Sequence, residues 1–151
     1  MKKTIWLLGL VMTLLVSQVA VAQHDHEHEA PSKDAAEQGD EADAQHEEER
    51  IRLLLSGYDY FPTRQKLEEV SPRAHEILMA IAQDEKALPS MRNRALDALG
   101  LFEGHHDVAL FFEVTLAAGE MKRVHLRHAI DASMKAFGPQ ALPWVSPYLE
   151  V

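Results

Sequence analysis

"RALDAL" at residues 94–99 and "HAIDAS" at residues 128–133 decide how this chain is read. Ala95 aligns with Ala129, Leu96 with Ile130, Asp97 with Asp131 and Ala98 with Ala132, an offset of thirty-four residues. Self-similarity at such a period marks stacked supersecondary units, each too small to bury its apolar face alone. Each match is followed by a glycine-bearing break and a second apolar segment. A weaker echo precedes them, with Ile77 and Ile81 thirty-one residues before Val108 and Phe112. Two clear helical hairpins and one degenerate hairpin are expected.

Working outward, the apolar period is helical throughout and no stretch alternates as a strand does. In "SPRAHEILMAIAQDE", Ser71 suits an N-cap and Pro72 the first helical position, while Ala74, Ile77, Leu78 and Ile81 share one face. "SMRNRALDALGLFEG" repeats this logic, with Ser90 ahead of the start, Ala95, Leu96, Leu99 and Phe102 on one face, and Gly104 past the end. "DVALFFEVTLAAG" is apolar almost all round, which predicts a helix buried on both sides at the centre of the domain. "GEMKRVHLRHAIDASMKAFG" predicts an amphipathic helix from Glu120 to Phe137, stopped by Gly138 and Pro139. In the last segment Pro143 and Pro147 each remove a backbone donor, so a kinked or partly 3₁₀ helix is expected.

"MRNRALDALGLFEGHHDVALFFEVTL" followed by "LRHAIDASMKAFGPQALPWVSPYL" resembles HEAT repeats of the short bacterial type, similar to those of phycobilisome lyases. Arg92, Arg94, Ala95, Leu96, Ala98, Leu99 and Gly100 carry the likeness; the second unit departs at Ser133, where Leu is usual, and Met134, where Gly is usual. The resemblance covers about residues 72–149. It implies an all-α fold, a short right-handed α-solenoid of about three stacked hairpins. It implies no lyase activity, because the chain has no cysteine and no chromophore-handling motif. Stacked units pack through alanines at close crossings and need capping at both ends. Ile51 to Leu55 with the aromatic "YDYFP" loop are expected to cover one end, and Trp144, Tyr148 and Leu149 the other.

Upstream, Lys2 and Lys3, the apolar run Ile5 to Val16 and the small-x-small Ala20-Val21-Ala22 predict a signal peptide at 1–22, cut before Gln23. The apolar run is shorter than the about 20 residues that span a bilayer. Residues 23–46 contain no aromatic residue and no Val, Ile, Leu or Met, a composition that predicts a disordered acidic linker. The repeat domain is then expected over 47–151, with "EEERIRLLL" opening its first helix. Residues 23–50 hold eleven acids against Lys33 and Arg50, whereas 51–151 hold thirteen acids against eleven bases. Neither part is a basic surface, so nucleic acid and anionic lipid are not expected partners. The reading is an exported monomer, periplasmic or secreted, without stable membrane insertion after signal cleavage. Lacking disulfides, it is held by its core alone.

Three features bear on chemistry. His24, His26 and His28 alternate with acids and share one side of an extended chain at about 6.6 Å spacing, which suits weak capture of Zn, Cu or Ni. His125 and His128 lie three apart on a helix and His105-His106 in a turn; a core flank, a solvent position and a turn with a helix start account for them better than ligation does. Asp97 and Asp131 occupy matched repeat positions, so a stacking role toward neighbouring repeats is expected for them. No serine sits in a nucleophile elbow and no phosphate loop occurs, so neither enzymatic activity nor a tightly held cofactor is expected. Leu110, Glu113, Val114 and Ala117 fall on the far face of the apolar helix. Either they remain open to bind a protein, or the degenerate first repeat covers them. The leading expectation is an interaction module or scaffold for an envelope protein, and the alternative is a periplasmic metal-handling protein using the His leader.

Overall fold

The computed structural model describes residues 33–149, with side chains from Ala42 onward. The expected signal peptide and the leader residues His24, His26 and His28 lie outside the described residues. Among the described residues all regular structure is helical: α1 Lys33–Ser56, α2 Arg64–Val70, α3 Ala74–Gln83, α4 Pro89–Leu99, α5 His106–Ala118, α6 Arg123–Phe137 and the short α7 Leu142–Val145. Gly138–Ala141 and Ser146–Tyr148 are 3₁₀ turns, so the proline-rich end is broken as its missing donors require.

α1 corrects the expected linker over its second part, since the helix begins at Lys33 rather than near Glu47. The cause is cooperative. Ile51 and Leu55, one turn apart, are fully buried, and Arg52 bonds Glu48 at 2.8 Å and Asp84 at 3.1 Å, which fixes the C-terminal turns. A helix once nucleated extends at little cost through residues such as Ala, Glu and Gln, which dominate 35–49. Composition alone shows that this stretch has no large apolar side chain to bury. It does not show that a packed neighbour nucleates it.

α2 is too short to display a period, and its start is fixed by the Thr63 hydroxyl accepting from the Lys66 N–H at 3.3 Å. Ser71 ends α2 and caps the following turn, its Oγ accepting from the Arg73 N–H at 3.1 Å, so α3 starts later than Pro72. Pro89 opens α4, which places Ser90 inside the first turn rather than ahead of it. Gly119 and Gly138, at φ 66° and 53°, end α5 and α6 in conformations that L-residues with a Cβ resist.

α4 is the central helix, packed between α3 and α6. It runs antiparallel to α3: His75 meets Phe102 at one end, and at the other the Arg92 Nε–H donates to the Ala82 carbonyl at 3.0 Å. It runs parallel to α6, with Asn93 meeting His125, Asp97 meeting His128 and Gly100 meeting Ala132. The last pair sets the spacing, because a Cβ built on Gly100 would lie 3.1 Å from the Ala132 Cα. Ala129 and Ala132 are buried on the α6 side of this crossing, and Ala95 and Ala98 are buried on α4. α4 and α6, which carry the two matching segments, are neighbours, and so are α5 and α7.

The expectation that the apolar helix α5 lies at the centre is corrected. Val108, Phe111, Phe112 and Leu116 are buried against α6, α3 and α7, while Leu110, Glu113, Val114 and Ala117 are exposed. The expected aromatic cap is also corrected: Tyr58 is 96% exposed, and Tyr60 and Phe61 are exposed as well. Ile51, Leu55 and Leu67 already fill that end of the core. The loop is held from outside instead, by Arg94, which donates to the Tyr60 carbonyl and lies 5.5 Å over the Phe61 ring. At the other end Trp144 packs edge-on to Phe137 and the Tyr148 hydroxyl donates to the Leu116 carbonyl, while Leu149 stays exposed.

Candidate interaction surface

α5 presents two chemically opposite roles on one short helix. Its inward positions recur as Val108, Phe112 and Leu116, spaced by one turn. Leu110 and Val114, also one turn apart, point outward at 49% and 59% exposure, flanked by Glu113 and Ala117. Exposed single leucines are ordinary, but a pair on the ridge of an otherwise core helix forms a contiguous apolar strip. Val114 continues into a groove of about 290 Å³ lined by Phe111, Ala118, Met121 and the end of α3 at Ala82. Arg92 and Glu120 place one charge of each sign on its rim. Among the described residues, α1, α2 and α3 therefore leave this face of α5 open. An apolar strip beside a groove with both charges at its edge suits an amphipathic helix or apolar side chains of another protein.

The histidines divide into separate sites. His125 is 2% exposed, its Nδ1–H donating to the Asn93 Oδ1. Burial, then the charges of Arg92 and Lys122, holds its pKa below the ordinary histidine value. The His128 Nδ1–H donates to the Asp97 Oδ1 at 2.8 Å. His105 lies at the opposite end of α4, its Nε2 accepting from the Arg64 Nη2–H at 3.0 Å. Its ring is 4.6 Å from that of His75 and edge-on to Phe102. Burial, with His75 and Arg64 beside it, lowers the His105 pKa also. The 105–106 and 125–128 pairs therefore do not converge, and His106 is exposed at the start of α5. His75 was not singled out from the sequence, although it lies three and seven residues before the buried Leu78 and Ala82 and so shares their stripe. Among the described residues its Nδ1 is buried without a partner.

Among the described residues no group of three His, Cys, Asp or Glu side chains is placed to hold a metal ion. Asp97 and Asp131 do not pair with each other: Asp97 bonds His128 across the α4–α6 crossing, and Asp131 reaches Arg127 on its own helix at 3.7 Å. The hydroxyls of Ser56, Ser133 and Ser146 donate to backbone carbonyls three residues earlier, and that of Ser71 accepts from its own turn. Those four are occupied with local structure.

Against known proteins the chain has no match: no family model fits it, and neither a curated protein nor a solved structure resembles it.

Proposed function

We propose that the protein is an exported, non-enzymatic interaction module, a short HEAT-like α-solenoid that binds an envelope protein through the open face of α5. One observation carries this reading: Leu110 and Val114 stand outward on a helix whose opposite face is core, and the apolar strip they form runs into the Phe111–Met121 groove. The solenoid part rests on the thirty-four-residue offset together with the neighbouring of α4 and α6, which carry the two matching segments. Export rests on the charged, apolar and small-x-small pattern of residues 1–22. Covering the strip supplies the binding free energy, at about 25 cal/mol per Å² of apolar surface removed from water. Glu113, Arg92 and Glu120 set the register of the bound segment.

The test is capture from an envelope extract by wild-type protein and by the Leu110→Asp/Val114→Asp variant, with melting curves for both. The reading predicts that specific captured proteins are lost from the variant while its melting is unchanged. An identical set of captured proteins on both would remove α5 as the binding face.

A further inference from the structure

A second groove, of about 540 Å³, lies on the face of α6 turned away from α4, lined by Arg123, Leu126, Arg127 and Ile130 with Pro147 and Tyr148. The four α6 residues follow the i, i+3, i+4, i+7 stripe that a packed helix needs. Thirty-four residues earlier the same stripe on α4 reads Pro89, Arg92, Asn93 and Leu96. There α6 lies along one edge of it: Asn93 bonds His125 and Leu96 is buried, while Arg92 turns to α3 and Pro89 is exposed. Arg127, the counterpart of Asn93, lines the α6 groove, so the groove borders the side of α6 that corresponds to the packed side of α4. Its rim is basic. Arg123 and Arg127 stand over an apolar floor, and the facing carboxylate, Asp131, meets Arg127 at only 3.7 Å with the two side chains 68% and 87% exposed. In a chain of formal net charge −9, two guanidinium groups on the rim of one groove favour an acidic segment there.

The chain holds such a helix. Residues 33–50 carry eight acids against Lys33 and Arg50, and Ala42 to His46 are exposed. A helix of this composition draws little stability from itself, and most helices owe their persistence to packing. α1 cannot reach the groove of its own chain: Ile51, Leu55 and the Arg52–Asp84 pair anchor it beside α3, and α4 and α6 stand between. We propose that the α6 groove receives the acidic first half of α1 from a second copy of this chain, making the protein self-associating. The contact joins different patches on the two copies, so it closes as a dimer when reciprocal and extends as a chain when not.

The test uses the processed chain, beginning at Gln23, in sedimentation velocity across a concentration series, with a synthetic peptide of residues 33–50 as probe. Expected are self-association that weakens at least about tenfold when salt is raised from about 0.05 to 0.5 M, as screened charge pairs require, and peptide binding that competes with it. The Arg123→Glu/Arg127→Glu variant, checked for unchanged helical circular dichroism, is expected to be monomeric and to ignore the acidic peptide. It should instead bind a peptide whose acids are replaced by lysine. A protein that stays monomeric and binds neither peptide overturns the proposal, as does self-association equally strong in the variant. The α5 variant Leu110→Asp/Val114→Asp is expected to self-associate as wild type does, which separates this contact from the α5 surface.

Discussion

α4 and α5 follow one another in the chain, and the less apolar of the two is the more buried. α4 carries Arg92, Asn93, Arg94 and Asp97, yet it is packed between α3 and α6. α5 has Glu113 and Asp107 as its only acids and no Lys or Arg, yet one whole side of it faces solvent. Backbone approach decides the difference. Ala95, Ala98 and Gly100 let neighbours close on α4 from two sides, and its polar side chains are drawn into bonds with those neighbours, Arg92 to Ala82 and Asp97 to His128. α5 carries its bulk at Leu110 to Val114 on both sides of the helix, and a domain this small covers only one side. Apolar content is thus a poor guide to which helix is central, and small residues at helical spacing are a better one.

The contrast can be broken most severely on the buried side of α5. Phe112→Ala removes a fully buried ring that packs edge-on to Phe111 and Phe137, and about 3–5 kcal/mol should be lost in urea unfolding. Next comes the α4–α6 crossing. At Gly100 even one added carbon meets backbone at 3.1 Å, so Gly100→Val should cost about 1–3 kcal/mol by the same measurement. A cost near zero would show that α4 and α6 are not held at this distance. On the open side, Val114→Asp should change stability by no more than about 0.5 kcal/mol.

Acidification probes the polar bonds that hold α4. His125 and His105, at its two ends, both have pKa values below the reference of 6.5 because burial disfavours the cation. The unfolded chain therefore binds these protons more readily than the folded one. Stability is full above about pH 6.5 and falls as the pH drops through that value toward the lowered folded pKa. Urea midpoints measured from pH 8 to 5 should decline over this window, and His125→Gln should flatten the decline. Asp84, lowered by the Lys86 N–H and Arg52, and Glu76, lowered by Arg73, add a second loss at more acid pH. The smallest expected effect belongs to the leader: any Zn, Cu or Ni taken up by His24, His26 and His28 should weaken below about pH 6.5 by competition with protons. Calorimetric titration reads this directly, and binding unchanged by removing the three histidines would contradict it.

The legible parts of the fold were those that the chain states twice. Ala95-Leu96-Asp97-Ala98 and its echo at 129–132 marked two helices, and the structure packs those two side by side. The glycines that end α5 and α6 were legible too, because a positive φ selects them. Other features depended on neighbours distant in sequence. The first half of α1 has no apolar period, so only the anchoring of Ile51 and Leu55 explains its helix. α2 contributes a single fully buried residue, Leu67, too little to register as a pattern. His75 is polar by type but buried by position, and the aromatic residues of 58–61 are apolar by type but exposed because the space beneath is already filled. On α5 the face was legible from spacing alone, since Leu110, Val114 and Ala117 fall on one side of any helix drawn through them. Whether that side was covered was not, because coverage depends on where the first hairpin packs.

The central claim is that the exposed face of α5 is a contact surface for another protein. Photo-crosslinking in intact cells from a reactive residue at position 114, with one at the exposed position 66 on α2 as control, tests it most directly. Discrete adducts from position 114 that are lost when Leu110 is also changed to Asp, and that are absent from position 66, are predicted. No adduct at position 114, or the same adducts from both positions, would contradict the account.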